Sequence, residues 1–371
     1  MQPLFSRRAI LAMQGLVWSN IEILVSKLTE QNAQGRSADM LYALRAFTMD
    51  MVTTFCFART VNAMDAVDFR APIVEAMNVS TPTFVMLKHF PLFRKILFSL
   101  PPWLAIKASP ETAGLTNLQV MLGAQVKEVV DNPRTLENAP HPIIYHTLLD
   151  KDAHKGKGVP SAKSLYQEAQ ALMFGGGDSV ANTLMVGIFH VLEQPETYKR
   201  LKEEIRQAWP VLEDLPSFQT LEALPLLTAT IKESLRVAPG VPSPLLRVVP
   251  PQGALIGGKS IPGGTIVGMS TVLVHTSSEI FQKAEVFDID RWTNSSSAGL
   301  DQWLVTFSKG PRSCLGINLA YCEMYVAMAT LIRKFELRLD GTRAEDLAWR
   351  DTFLPDFTRR HLHAWCEPVK V

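Results

Sequence analysis

Apolar positions recur every three to four residues over most of this chain, and that spacing predicts a mainly helical protein. Residues 9–31 and 39–58 read as amphipathic helices that supply core packing. The pattern runs unbroken through 161–194, which reads as one unusually long helix, ended by Pro195, which also opens the next at 195–209. Pro225 helps to start another over 226–237. Strand-like pieces come late, at 245–249, 254–256 and 265–269, with Gly257-Gly258 suited to a hairpin turn. Residues 132–142 and 151–160 turn polar and read as surface loops. No repeat, low-complexity tract or clear linker interrupts this order, so residues 1–371 read as a single domain.

Residues 84–104 stand apart. They combine Phe84, Phe90, Phe93, Phe98 and Trp103 with several prolines. A buried corner is the default reading. An exposed apolar edge that touches a membrane or guards a substrate channel is the alternative. No stretch reads as long and apolar enough to span a bilayer, because the closest, 84–106, is broken by Lys88, Arg94, Lys95 and prolines. The first eight residues do not resemble a signal peptide.

Composition narrows the function. With 371 residues and 47% apolar content there is material for a large core. A formal net charge of +1 argues against nucleic acid as a partner. Four scattered cysteines form neither a secreted disulfide framework nor a zinc-spaced cluster.

One of those cysteines has a specific setting. Phe307-Ser308-Lys309-Gly310-Pro311-Arg312-Ser313-Cys314-Leu315-Gly316 precedes a helical stretch with Ala320 and Glu323. Gly310 and Gly316 permit turns and a close backbone approach to a flat macrocycle. Phe307 can shield the sulfur, and Arg312 can pair with a carboxylate. A helix beginning after Cys314 aims its N–H groups at a thiolate. These are the needs of a cysteine that ligates haem iron. A lone cysteine is usually a small buried hydrophobe, and Cys56, Cys322 and Cys366 keep that reading.

Two further segments carry chemistry. Phe174-Gly175-Gly176-Gly177-Asp178-Ser179 lies within the long helical stretch. Three helical glycines cost about 1 kcal/mol each relative to alanine. They signal close helix packing or a kink, or else room for a ligand beside an acid and an alcohol. Glu233 and Arg236 form E-x-x-R, which alone is a common solvated helix pair. Arg247 lies in an apolar strand, where it can snorkel. His275 reads as a structural histidine.

Taken in order, these segments resemble the cytochrome P450 superfamily. The cysteine loop fills every position of F-x-x-G-x-R-x-C-x-G and the following A-x-x-E. The glycine segment is similar to the distal-helix motif A/G-G-x-D/E-T, with Ser179 in place of threonine. The segment 287–292 is similar to F-x-P-E-R-[F/W], with Ile289 and Asp290 departing and Arg291 and Trp292 matching. The resemblance implies a mainly α fold with small β-sheets, lacking the family's N-terminal segment. It implies haem b with Cys314 as axial thiolate, and Arg312 and Arg247 at its propionates. Asp178 and Ser179 would relay protons, and Glu233, Arg236 and Arg291 would form a structural triad. The expected activity is monooxygenation of a hydrophobic small molecule, such as a terpenoid or polyketide of secondary metabolism. Electrons would come from an NADPH-cytochrome P450 reductase, since no flavin or dinucleotide fingerprint occurs here. The full family form is associated with the endoplasmic reticulum membrane, and peripheral membrane contact fits this chain. The rival readings are a haem-thiolate isomerase or dehydratase that does not use dioxygen, and a truncated, non-catalytic haem-thiolate protein.

Overall fold

The structure is a computed structural model that describes residues 1–80, 82–97, 99–108, 110, 113–154, 158–293 and 299–370. It is 60% helix and 8% strand, matching the mainly helical expectation. The first two helices are α1, Arg7–Ala33, and α2, Met40–Phe57. Four shorter ones follow: α3, Pro72–Ser80, α4, Thr83–His89, α5, Pro91–Leu97, and α6, Pro102–Ala108. Next come α7, Ala113–Asp131, α8, Ile144–Leu148, α9, Ala162–Gly176, and α10, Ser179–Glu193. The remaining helices are α11, Pro195–Ala208, α12, Phe218–Glu222, α13, Pro225–Val237, α14, Thr271–His275, and α15, Ile317–Lys334.

Proline opens α3, α5, α6, α11 and α13, where its missing N–H costs nothing. Ser6 and Asp39 cap α1 and α2 by accepting backbone N–H groups. Nearly every residue of α2 is buried, so this helix is core on all sides. It packs against α1, α9 and α10, while α10 also packs on α13 and α15. One contiguous core runs from Leu4 to Cys366.

Strands are few and short. β1, Ala38–Asp39, β6, Phe335–Leu339, and β9, His363–Pro368, form one antiparallel sheet in the order β1-β9-β6. Three two-stranded pairs complete the set among the described residues. β2, Arg247–Val248, pairs with β5, Ile266–Val267. β3, Ala254–Ile256, pairs with β4, Lys259–Ile261, and β7, Trp349–Thr352, pairs with β8, Leu354–Phe357. Gly257 and Gly258 both take positive φ, as a two-residue hairpin turn between β3 and β4 requires.

Three expectations need correction. The single helix over 161–194 is two, α9 and α10, parted at Gly177–Asp178. The break follows from the glycines. A Cβ on Gly176 would lie 2.6 Å from Cγ2 of Val52, and one on Gly177 would lie 2.7 Å from Cε of Met49. Both glycines thus seat the helix junction directly on α2, and the Thr48 hydroxyl donates to the carbonyl of Gly177 at 3.0 Å. A Cβ on Gly175 would meet nothing within 4 Å, so this glycine faces open space. Second, residues 84–104 are not a buried corner. Helices α4 to α6 leave Phe90, Leu92, Ile96 and Trp103 exposed; Phe98 lies outside the described residues. Third, α1 and the α9–α10 stretch are each long and apolar enough to cross a membrane by length and composition. Most of the α9–α10 stretch is buried inside the fold, and α1 packs on α15 and α2.

Candidate active site

The cysteine loop is held by its own backbone and by its neighbours. The N–H of Cys314 donates to the carbonyl of Phe307 at 2.8 Å, closing the loop, and that of Ser308 donates to Val305. Ser308 and Gly310 take positive φ, 59° and 79°, which turns the chain twice within three residues. The Phe307 ring packs 5.2 Å from that of Tyr321 on α15. Helix α15 begins at Ile317, just after Gly316. Cys314 is exposed, whereas Cys56, Cys322 and Cys366 are buried. Nearby protein atoms desolvate the Cys314 thiol and raise its pKa, while the N–H of Gly316 opposes that rise. Burial pushes the thiols of Cys322 and Cys366 up to about 12.

Cys314 opens onto a cavity of about 1040 Å³. The cysteine loop contributes Phe307, Arg312, Cys314 and Gly316 to its wall, and the end of α9 contributes Gly175 and Gly176. Ser179 and Val180 come from the start of α10, and Arg247 from β2. Gly310 is not on this wall, but its open surroundings and positive φ shape the turn before Cys314. Neither Arg247 nor Arg312 makes an ion pair among the described residues; the Arg247 guanidinium donates only to its neighbour's carbonyl at Leu246, at 2.8 Å. Two unpaired guanidiniums on a cavity that also exposes a thiol suit a ligand with carboxylate groups.

The acid and alcohol of the helix junction part company. The Ser179 hydroxyl is on the cavity and donates to the carbonyl of Gly175 at 3.3 Å. Asp178 is buried, off the cavity wall, and pairs with Arg45 of α2, Nε to Oδ1 at 2.5 Å. Asn182 joins them: its amide donates to Asp178 at 3.3 Å and its carbonyl accepts from Arg45 at 3.3 Å. Arg45 went unread in the sequence. Its signal is a lone arginine within the apolar run of α2, which in a helix buried all round requires a buried acid.

The E-x-x-R pair is also buried. Glu233 receives the N–H groups of Arg236 at 2.7 and 2.9 Å, the Trp292 indole at 2.8 Å and the backbone of Asp288 at 2.9 Å. Arg291 adds a longer contact of 3.4 Å. Arg236 spends its remaining donors on the carbonyls of His275, Ala284 and Val286. Both guanidiniums lie over the ring of Phe281, 5.4 and 6.0 Å from its centroid. His275 then reaches the cysteine loop, where its Nε2 accepts the N–H of Val305 at 3.0 Å. Beside it the Thr306 hydroxyl donates to the carbonyl of Leu235 at 2.7 Å. Burial, and then the Arg236 charge, lower the His275 pKa to about 4, so the ring is neutral and can accept.

Glu323 of α15 also lines the cavity. It is buried, one of its carboxyl oxygens has no hydrogen-bond partner, and burial raises its pKa well above the carboxylate range. Among the described residues no group of three or more metal-ligating side chains occurs.

Comparison with known proteins places the chain among relatives of one family. The family model for cytochrome P450 matches residues 1–354. The chain is 34% identical over 370 residues to cytochrome P450 monooxygenase flvC of Aspergillus flavus, covering 98% of this chain and 67% of that protein. It is 34% identical over 360 residues to cytochrome P450 monooxygenase macH of Penicillium terrestre, covering 96% and 70%. In fold it superposes on the crystal structure of the cytochrome P450DA heme domain with a TM-score of 0.79 at 18% identity, covering 100% of this chain and 76% of that one.

Two outcomes follow from the Glu233 cluster. Glu233→Ala strands two buried guanidiniums and is expected to cost about 3–5 kcal/mol. Urea unfolding measures this, and a loss under about 1 kcal/mol would mark the pair as an ordinary surface one. The second concerns pH. Unfolded, His275 titrates near 6.5, but folded it resists protonation to about 4. The unfolded state therefore binds the extra proton, and stability falls as pH drops through that window, by roughly 2 kcal/mol between about pH 7 and pH 5. His275→Gln should flatten that slope in urea midpoints; an unchanged slope contradicts the assignment.

Proposed function

Because this chain belongs to the cytochrome P450 family, and is thus an oxidoreductase of the monooxygenase kind with haem b as its cofactor, we propose that Cys314 is the thiolate ligand to the haem iron. One observation carries this reading: of the four cysteines, Cys314 alone is exposed, and it opens onto the large cavity. The residues present fit the group. The unpaired guanidiniums of Arg247 and Arg312 would hold its two carboxylates, Phe307 would cover the sulfur, and Gly175 leaves its part of the cavity wall free of a side chain. When bound, the haem supplies the activation of dioxygen.

The protein's own tasks are binding, shielding and proton supply. Val52, Leu172, Phe174, Val180, Leu235 and Leu245 give the cavity an apolar wall that suits a hydrophobic small molecule, such as a terpenoid or polyketide. The Ser179 hydroxyl stands on that wall and hands protons into it. Asp178, fixed by Arg45, stands behind Ser179 in the same relay and holds the helix junction that presents the hydroxyl. Glu233, Arg236 and Arg291 hold the surroundings of the cysteine loop. Electrons come from an NADPH-cytochrome P450 reductase. The exposed apolar side chains of α4 to α6 support peripheral contact with the endoplasmic reticulum membrane.

The spectrum of the reduced, CO-bound protein tests the ligand. The wild type should give the strongly red-shifted band of thiolate-bound haem, Cys314→Ala should lose it, and Cys322→Ala should keep it. Retention of that band in Cys314→Ala would refute the assignment. For Ser179, the expected result of Ser179→Ala is retained haem and substrate binding with electrons diverted to peroxide. Coupling equal to wild type would show that this hydroxyl only caps the carbonyl of Gly175.

A further inference from the structure

The two buried arginine–acid pairs of this fold are built differently. Arg236 offers Nε and one terminal amine to the two oxygens of Glu233, at 2.9 and 2.7 Å, a fork closed on the carboxylate. Arg45 makes no such fork. Its terminal amines donate elsewhere, one to the side-chain carbonyl of Asn78 on α3 at 3.1 Å and one to that of Asn182 at 3.3 Å. Only Nε faces Asp178, 2.5 Å from Oδ1 but not aligned as a hydrogen bond. Among the described residues the Asn182 amide, at 3.3 Å, is the one aligned donor on this carboxylate. Asn78 is held in turn. Its amide donates to the hydroxyl of the buried Tyr42 at 3.2 Å, and that hydroxyl donates to Glu75 at 3.2 Å. Arg70 ends the series at the surface, 2.6 Å from Glu75 and with its guanidinium 4.2 Å over the Tyr42 ring. From Arg45 to Glu75 every bond has its donor on the inner side. The Glu75 charge therefore polarises each bond in turn and draws the guanidinium toward Asn78.

We infer that Asn78, backed by Tyr42, is a positioning residue for proton supply: it keeps Arg45 from closing a fork on Asp178, so that the acid behind Ser179 retains an oxygen able to take and pass a proton. The inference rests on the relay proposed above and deepens it. A guanidinium that grips both oxygens of a carboxylate holds that group ionised. Such a grip suits Glu233, whose task is to hold chain segments together. It would disable an acid whose task is to hand protons on. Arg45 still supplies the charge that lets Asp178 stay buried, while the two asparagines occupy the amines that would complete the fork.

The test combines turnover of the haem-loaded protein with NADPH-cytochrome P450 reductase and urea unfolding of the same variants. Turnover is read as the ratio of hydrogen peroxide to water formed from the dioxygen consumed, in preparations matched by their CO spectra. Asn78→Leu frees an Arg45 amine to fork on Asp178, and the ratio should rise at least about tenfold. Tyr42→Phe keeps the ring under Arg70 and should raise the ratio by a smaller factor. Asn78→Asp keeps an acceptor for Arg45 and should keep the wild-type ratio. In urea, Asn78→Leu should shift the midpoint less in the wild-type background than in Asp178→Asn, because the new fork offsets part of the loss. Wild-type ratios in Asn78→Leu and Tyr42→Phe overturn the inference, as do equal midpoint shifts in the two backgrounds, which mark Asn78 as merely structural. Asp178→Asn separates the two levels. A raised ratio there, beside wild-type ratios in the other variants, leaves the relay standing without this inference, whereas a wild-type ratio there overturns both.

Discussion

The carboxylate of Glu233 is the point on which the site's geometry turns. It is buried, and a buried carboxylate is stable only when its oxygens are fully engaged. Here they are, by two guanidiniums, an indole and a backbone amide drawn from two separated stretches of chain. Arg236 extends the arrangement to three carbonyls between His275 and Val286. His275 and the carbonyl of Leu235 then catch Val305 and Thr306, where the cysteine loop starts. The loop that follows is closed by the Cys314–Phe307 bond. The Cys314 loop is thus tied to helix α13 through a series of hydrogen bonds.

A second buried charge pair fixes the facing wall. Arg45 and Asp178 join α2 to the α9–α10 junction, with Asn182 and Thr48 adding polar contacts. Gly176 and Gly177 allow the junction to sit against Val52 and Met49 of α2, and Gly175 is left facing outward. The three glycines therefore do not share one role. Two are there for helix packing and the third for open space. The result is a hydroxyl, Ser179, on the cavity and an acid, Asp178, behind it.

How much of this was legible in the sequence depends on the range of the interactions involved. The cysteine loop and the E-x-x-R pair are local patterns, and both were readable, as were the hairpin at Gly257-Gly258 and the mainly helical fold. The break between α9 and α10 was not, because hydrophobic periodicity continues across it; only the contact with α2 reveals why the helix must part. Arg45 could not be paired with Asp178 from spacing, since the two lie far apart in the chain and no local pattern connects them. The exposure of α4 to α6 was likewise hidden, because an aromatic and proline-rich segment reads the same whether it is covered or bare.

The central claim is that the Glu233 cluster holds the cysteine loop in place. Hydrogen exchange on Glu233→Gln, which keeps the shape of the side chain and removes its charge, tests it most directly. The account predicts that the amides of Asp288, Val305 and Cys314 exchange at least about tenfold faster, while those of α1 and α2 keep their wild-type protection. Wild-type exchange at Val305 and Cys314 beside a faster Asp288 would contradict it, since the cluster would then hold its own segment and not the loop.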